Sequence, residues 1–125
     1  MSASFKVKVQ THFSAARQIK GYEGPCANIH GNTFVVKATI KTSELDDLGL
    51  SIDYKVLSDN LETVITPLKH QNLNNLKEFE SINPSSENIA KYIYTQLKIL
   101  VNNEGFKLKK ISIQEAPNVT ISYSE

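Results

Sequence analysis

Hydrophobic and polar residues alternate from Ser4 to Phe13, with Phe5, Val7, Val9, Thr11 and Phe13 on one side and Lys6, Lys8, Gln10 and His12 on the other. A period of two belongs to a strand with one face buried. After a loop bearing Gly21, Gly24 and Pro25, the segment from Thr33 to Lys41 is dense in β-branched residues, which suit a pleated surface. It predicts a second strand, antiparallel to the first.

The period then changes. Asp53 is placed to cap a helix, and Val56, Leu57, Leu61, Val64 and Ile65 recur at helical spacing until Pro67 interrupts them. A second helix start is read at Asn83-Pro84-Ser85-Ser86-Glu87, which offers a hydroxyl cap and an early carboxylate. Ile89, Tyr92, Ile93, Leu97 and Leu100 follow on one stripe, with Gly105 past the end. Two more strands are predicted, Leu108 to Glu115 with Ile111 and Ile113 on one face, and Val119 to Tyr123, separated by Ala116-Pro117-Asn118. The Asn-rich stretch from Gln71 to Ile82 predicts a surface loop. The order is ββααββ, and a four-stranded antiparallel sheet with two helices over one face defines an α+β domain.

A chain of 125 residues, 40% hydrophobic, suits one compact domain over residues 1–125. Its 14 basic and 13 acidic residues leave a formal charge of +1, and no stretch gathers five or six like charges. That pattern argues against a nucleic-acid arm, so an anionic ligand must be caught by local groups. The first residues lack the apolar core of a signal peptide, and no apolar run approaches the ~20 residues that span a bilayer. The expectation is a cytoplasmic protein with no membrane partner. One cysteine excludes an intrachain disulfide and leaves Cys26 either as a buried small hydrophobe or as a reactive thiol.

Six pieces in order carry a resemblance: Phe13-Ser-Ala-Ala-Arg-Gln-Ile, Cys26-Ala-Asn-Ile-His-Gly-Asn, Gly49-Leu-Ser-Ile-Asp-Tyr, Leu68-Lys-His-Gln-Asn-Leu-Asn, Asn83-Pro-Ser-Ser-Glu-Asn and Gln114-Glu115. Over nearly its whole length the chain resembles the 6-pyruvoyl- and 6-carboxytetrahydropterin synthases. The resemblance implies a tunnelling fold, in which subunits pool their sheets into an oligomeric barrel, typically a hexamer, and bind a pterin or purine-like ring at subunit interfaces. Edges open to aggregation are paired in such a barrel. It also implies that Glu115 holds the guanidine-like edge of the pterin, since a carboxylate accepts two parallel N–H bonds. Ser85 and Ser86 fall in a matching binding segment.

The family's catalytic pattern is a zinc ion on three histidines, a cysteine base and an Asp-His proton relay. Cys26 matches the cysteine and His30 the first histidine of the family's His-Gly-His, but the second histidine is Asn32 and the remaining ligand position is Arg17. His30 alone is a vestige of the metal site. A guanidinium repels a cation, and an asparagine carbonyl is a poor zinc donor. His12, five residues from Arg17 on an extended segment, lies some 15 Å away and does not replace a ligand. No cofactor is therefore expected, although zinc held by ligands from another loop stays open. The relay reads Lys69-His70, so His70 keeps its titratable ring without the usual carboxylate, and Lys69 is either a solvated lysine or an acid-base group in an electropositive pocket.

Three functions are compatible with this pattern. The first is a pterin-binding enzyme working without zinc on the side chain of dihydroneopterin or its triphosphate. In it Cys26, His70 and Lys69 carry proton transfers, and Arg17, His30 and Asn32 contact substrate, Arg17 stabilising an oxyanion. Dihydroneopterin aldolases, which share the tunnelling fold, act without metal and use a lysine. The second is a zinc-dependent 6-carboxytetrahydropterin synthase on the way to deazapurines such as queuosine. The third is a catalytically silent pterin-binding paralogue.

Overall fold

The computed structural model describes residues 3–103 and 107–125, so the predicted helix-ending Gly105 lies outside the described residues. Four strands and two helices appear in the predicted order: β1 (Phe5–Arg17), β2 (His30–Thr42), α1 (Tyr54–Ile65), α2 (Ser86–Asn103), β3 (Lys107–Ala116) and β4 (Val119–Tyr123). The strands form one antiparallel sheet in the order β1-β2-β3-β4. The helices link β2 to β3 across one face, with α1 against β1 and α2 against β3 and β4.

β1 runs four residues beyond its predicted end at Phe13, and the extension keeps the same alternation. Phe13, Ala15 and Arg17 all point inward and are buried. A run of small residues ending in an arginine hides strand character, but pairing of Ser14–Arg17 with His30–Thr33 satisfies the backbone and carries both strands to the end of the sheet. β2 is longer than predicted for the same reason. On β3, Leu108 shares the core face with Ile111 despite an odd separation, because the register shifts between Thr39 and Ile40 of β2.

Asp53 caps α1 as predicted, its side chain accepting from Lys55 N. Leu57, Leu61, Val64 and Ile65 are buried, while Val56 is at the margin. Pro67 does not stop the chain at once but sits in a 3₁₀ turn over Thr66–Leu68. Ser85 caps α2 by accepting from Asn88 N at 3.1 Å. The buried stripe of α2 is rotated from the predicted one: Ala90, Tyr94 and Val101 join Ile89, Ile93 and Leu97, and Tyr92 and Leu100 only flank the core. The rotation follows from what α2 covers. The Tyr94 ring meets Tyr123 of β4 edge-on at 5.1 Å, and its hydroxyl donates to Leu108 O at 3.3 Å.

The segment from Gln71 to Ile82 is not a free surface loop. Leu73 and Phe79 are anchored in the core on short 3₁₀ turns. His70 N donates to Ser14 O at 2.7 Å and Ala16 N to Gln71 O at 2.8 Å, which docks the segment on the outer edge of β1. Its asparagines imitate backbone: Asn74 accepts from Gln18 N at 2.8 Å and donates to Gln18 O at 3.0 Å. Asn83 does the same for Lys20, with both distances 2.9 Å. Two side-chain amides thus continue the pairing of the chain past the end of β1.

Replacing Asn74 by Ala leaves the Gln18 N–H and C=O without these partners and is expected to cost about 1–3 kcal/mol in urea unfolding. A loss below about 0.5 kcal/mol, the range of a neutral surface change, would show that the amide strap is dispensable.

Candidate functional site

The C-terminal ends of β1 and β3, the start of β2 and the N-terminus of α2 converge at one end of the sheet, on its core side. Arg17 is the centre of this junction and is 3% exposed. Its Nη2 donates to Glu115 Oε2 in an ion pair. Nη1 reaches Pro84 O at 3.0 Å and Ser86 Oγ at 3.3 Å, and Nε reaches Asn32 Oδ1 at 3.3 Å. Beneath it lies the Phe34 ring, whose centroid is 4.9 Å from the guanidinium carbon. Phe34 in turn stacks on Phe13 at 5.0 Å, so the cation rests on the aromatic floor of the core.

Glu115 gives the same oxygen, Oε2, to Arg17 and to Ser86 Oγ, the latter at 2.9 Å. The carboxylate therefore stands at the N-terminus of α2, where the exposed amide dipoles favour an anion. Among the described residues no bond is made to its Oε1. The side chain retains 27% exposure, which opens it toward a cavity of about 380 Å³. Cys26, Ser85 and Ser86 line that cavity with Arg17 and Glu115, beside Ile19 and Tyr22. Ile19 closes the Phe13–Ile19 motif, whereas nothing in the sequence singled out Tyr22.

Cys26 is half-buried on the 3₁₀ turn Pro25–Ala27 and lines the cavity. The turn is tied down by Ile19 N donating to Cys26 O at 2.7 Å. Gly24, at φ 157°, admits the Tyr22 ring, since a Cβ there would lie 2.7 Å from the ring.

The other predicted site residues lie apart. His70 is exposed and lines a second cavity of about 540 Å³, with Asn32 and the outward residues Ser14, Ala16, Gly31 and Thr33. Its backbone has φ 58°, a left-handed conformation uncommon outside glycine, and is held there by the bond to Ser14 O. Lys69 lines neither cavity; its Nζ is bound to Glu62 Oε2 at 2.9 Å. Glu62, which also accepts a bond from the Thr11 hydroxyl, is the partner sequence reasoning missed, because only the packing of α1 on β1 brings it there. Within one chain, Cys26 and His70 line different cavities.

The positions matching the zinc ligands present one imidazole, one amide and one guanidinium. His30 directs Nδ1 to Asn28 O at 2.8 Å, and the Asn32 oxygen accepts from Arg17. Among the described residues no group of three His, Cys, Asp or Glu side chains is arranged to hold a metal. This donor set does not fit a zinc ion, which takes anionic or neutral N, S and O donors and repels a guanidinium.

A four-stranded antiparallel sheet with two helices packed on one face, in the order ββααββ, is the α+β unit of the tunnelling fold, here with a polar cavity at one sheet end. The chain belongs to the 6-pyruvoyl tetrahydropterin synthase family, whose pattern it matches over residues 6–125. It is 32% identical over 100 residues to 6-carboxy-5,6,7,8-tetrahydropterin synthase of Bacillus subtilis, covering 76% of this chain and 66% of that one. To the 6-pyruvoyl tetrahydrobiopterin synthase of Dictyostelium discoideum it is 34% identical over 76 residues, covering 59% and 56%. The matched segments thus span less than two thirds of both relatives' lengths. The structure of Caenorhabditis elegans 6-pyruvoyl tetrahydropterin synthase superposes with a TM-score of 0.86 at 25% identity, over 99% of this chain and 97% of that one.

Two measurements address the site directly. Arg17→His together with Asn32→His recreates a three-imidazole set with His30, and about one zinc per chain is expected by metal analysis of the double variant; a metal-free double variant would show that the three positions do not converge. The Glu62 carboxyl is held below its usual pKa, first by the Thr11 hydroxyl and then by Lys69. A depressed folded-state pKa stabilises above the unfolded value, roughly pH 4.3, and that contribution is lost as pH falls through the folded pKa. The stability advantage of the native chain over Glu62→Gln should therefore be full at neutral pH and shrink toward pH 3. An advantage that stays constant over that range would mean the carboxylate is not stabilised by these partners.

Proposed function

We propose that this chain is a pterin-binding enzyme acting on the side chain of dihydroneopterin or its triphosphate by chemistry that does not use zinc. The observation that carries the reading is the shared cavity of Cys26 and Glu115, with an arginine at a zinc-ligand position and tied to that same carboxylate. Glu115 Oε1 accepts an N–H of the ring, while Arg17 and Ser86 hold Oε2 and orient the group. Ser85 and Ser86 border the ring, and Cys26 moves a proton at the side chain.

Arg17 differs here from an oxyanion-stabilising role. Its three nitrogens are engaged by Glu115, Ser86, Pro84 and Asn32, so it acts as a positioning residue for the carboxylate. His70 and Lys69 join Cys26 only if a second copy of the chain brings them, which agrees with a site at subunit interfaces of a homo-oligomer. The reaction class is a carbon–carbon or carbon–oxygen lyase. A catalytically silent binder is the second reading, favoured by two features: Glu115 already receives a guanidinium from its own chain, and Lys69 is neutralised by Glu62.

The test is incubation of the purified protein with dihydroneopterin triphosphate, and separately with dihydroneopterin, in the presence of a chelator, with products identified by mass spectrometry. A new pterin is expected with chelator present and absent for Cys26→Ala. Glu115→Ala is expected to weaken pterin binding by about 2 kcal/mol in calorimetry, from loss of a charge-assisted contact. Product only after zinc is added would overturn the metal-free reading, and binding without product under either condition would establish the silent binder.

A further inference from the structure

The face of the sheet turned away from the helices carries a cationic patch built from residues far apart in sequence. Lys6, Lys41 and Lys107 are directly opposite one another across β1, β2 and β3. In the next outward row Lys8 and Lys110 flank Thr39, and Lys37 follows between Gln10 and Ser112. Rows are about 6.6 Å apart along the strands and about 4.8 Å apart between strands, so six ammonium stems rise from an area of three strands by three rows. No outward position of the four strands holds an acidic residue, and among the described residues none of these lysines makes an ion pair.

Like charges directly opposite on neighbouring strands destabilise a sheet. The row Lys6-Lys41-Lys107 carries that cost twice, in a chain whose formal charge is only +1. An anion bridging the rows reverses the sign of the interaction. We infer that this face is a binding site for a linear polyphosphate, either as the free anion or as the polyphosphate tail of a small molecule.

The chemistry of the face selects among anionic partners. The three lysine-bearing rows hold no aromatic side chain on which a nucleobase could stack and no apolar anchor for a bilayer surface; His12 and Val35 stand side by side in the next row. The face has no arginine either, so phosphates meet point charges on flexible stems and are not read by a planar fork. The patch measures roughly 10 Å by 13 Å, which matches a few linked phosphates better than the footprint of a nucleic-acid strand. The inference is independent of the pterin reading, because it involves the opposite face of the sheet from Cys26 and Glu115.

Titration calorimetry of the full chain with inorganic triphosphate, orthophosphate, dihydroneopterin triphosphate, dihydroneopterin and a 20-nucleotide single strand tests it. Triphosphate is expected to bind about tenfold or more tighter than orthophosphate, with affinity falling steeply as salt rises. Lys6→Thr with Lys41→Thr should weaken triphosphate by about tenfold or more while raising the thermal midpoint, since a repulsive pair is removed. Dihydroneopterin, lacking the tail, should bind equally to the native chain and the variant, so failure of the pterin reading shows there and not in the triphosphate arm. The inference is overturned if triphosphate affinity changes less than about twofold in the variant, or if the oligonucleotide binds more tightly than triphosphate.

Discussion

The ion pair of Arg17 with Glu115 is the interaction around which the functional end of this protein is organised. It joins the last residue of β1 to the end of β3, and through Ser86 and Pro84 it fastens both to the start of α2. A buried charge is tolerated only when its bonding capacity is used, and here one guanidinium serves four acceptors above an aromatic ring. Removing either partner leaves the other uncompensated in a poorly hydrated place. The pair therefore determines both the geometry of the carboxylate and the integrity of the junction.

On the proposed metal-free reading, the guanidinium of Arg17 holds the strand ends together at the position where the family resemblance implies a zinc ligand. A zinc ion would tie neighbouring strands through short coordinate bonds; the guanidinium ties them through hydrogen bonds and a charge. Glu115 is left with one oxygen committed and one available, and Cys26 stands across the same cavity.

The element order and most of the core were legible in the linear pattern, because alternation at β1 and helical spacing at α1 report burial directly. The extension of β1 to Arg17 was legible in principle: Arg17 has the same parity as Phe13, four residues back. It was obscured because an arginine on a core face contradicts hydrophobic patterning unless its partners are known. The Asn-rich stretch misled for the opposite reason. Its asparagines read as loop formers, yet Asn74 and Asn83 act as strand neighbours for Gln18 and Lys20.

By itself the sequence determined the ββααββ order and the family, since these depend on local periodicity and on short motifs. Only the tertiary structure decided which charges meet. Glu115 is 98 residues from Arg17, and Glu62 reaches Thr11 across 51 residues. The six outward lysines are dispersed along three strands and form no run, so a charge count of +1 conceals the face they share. Pairing register and helix packing set those distances, and neither is encoded in any single segment of the chain.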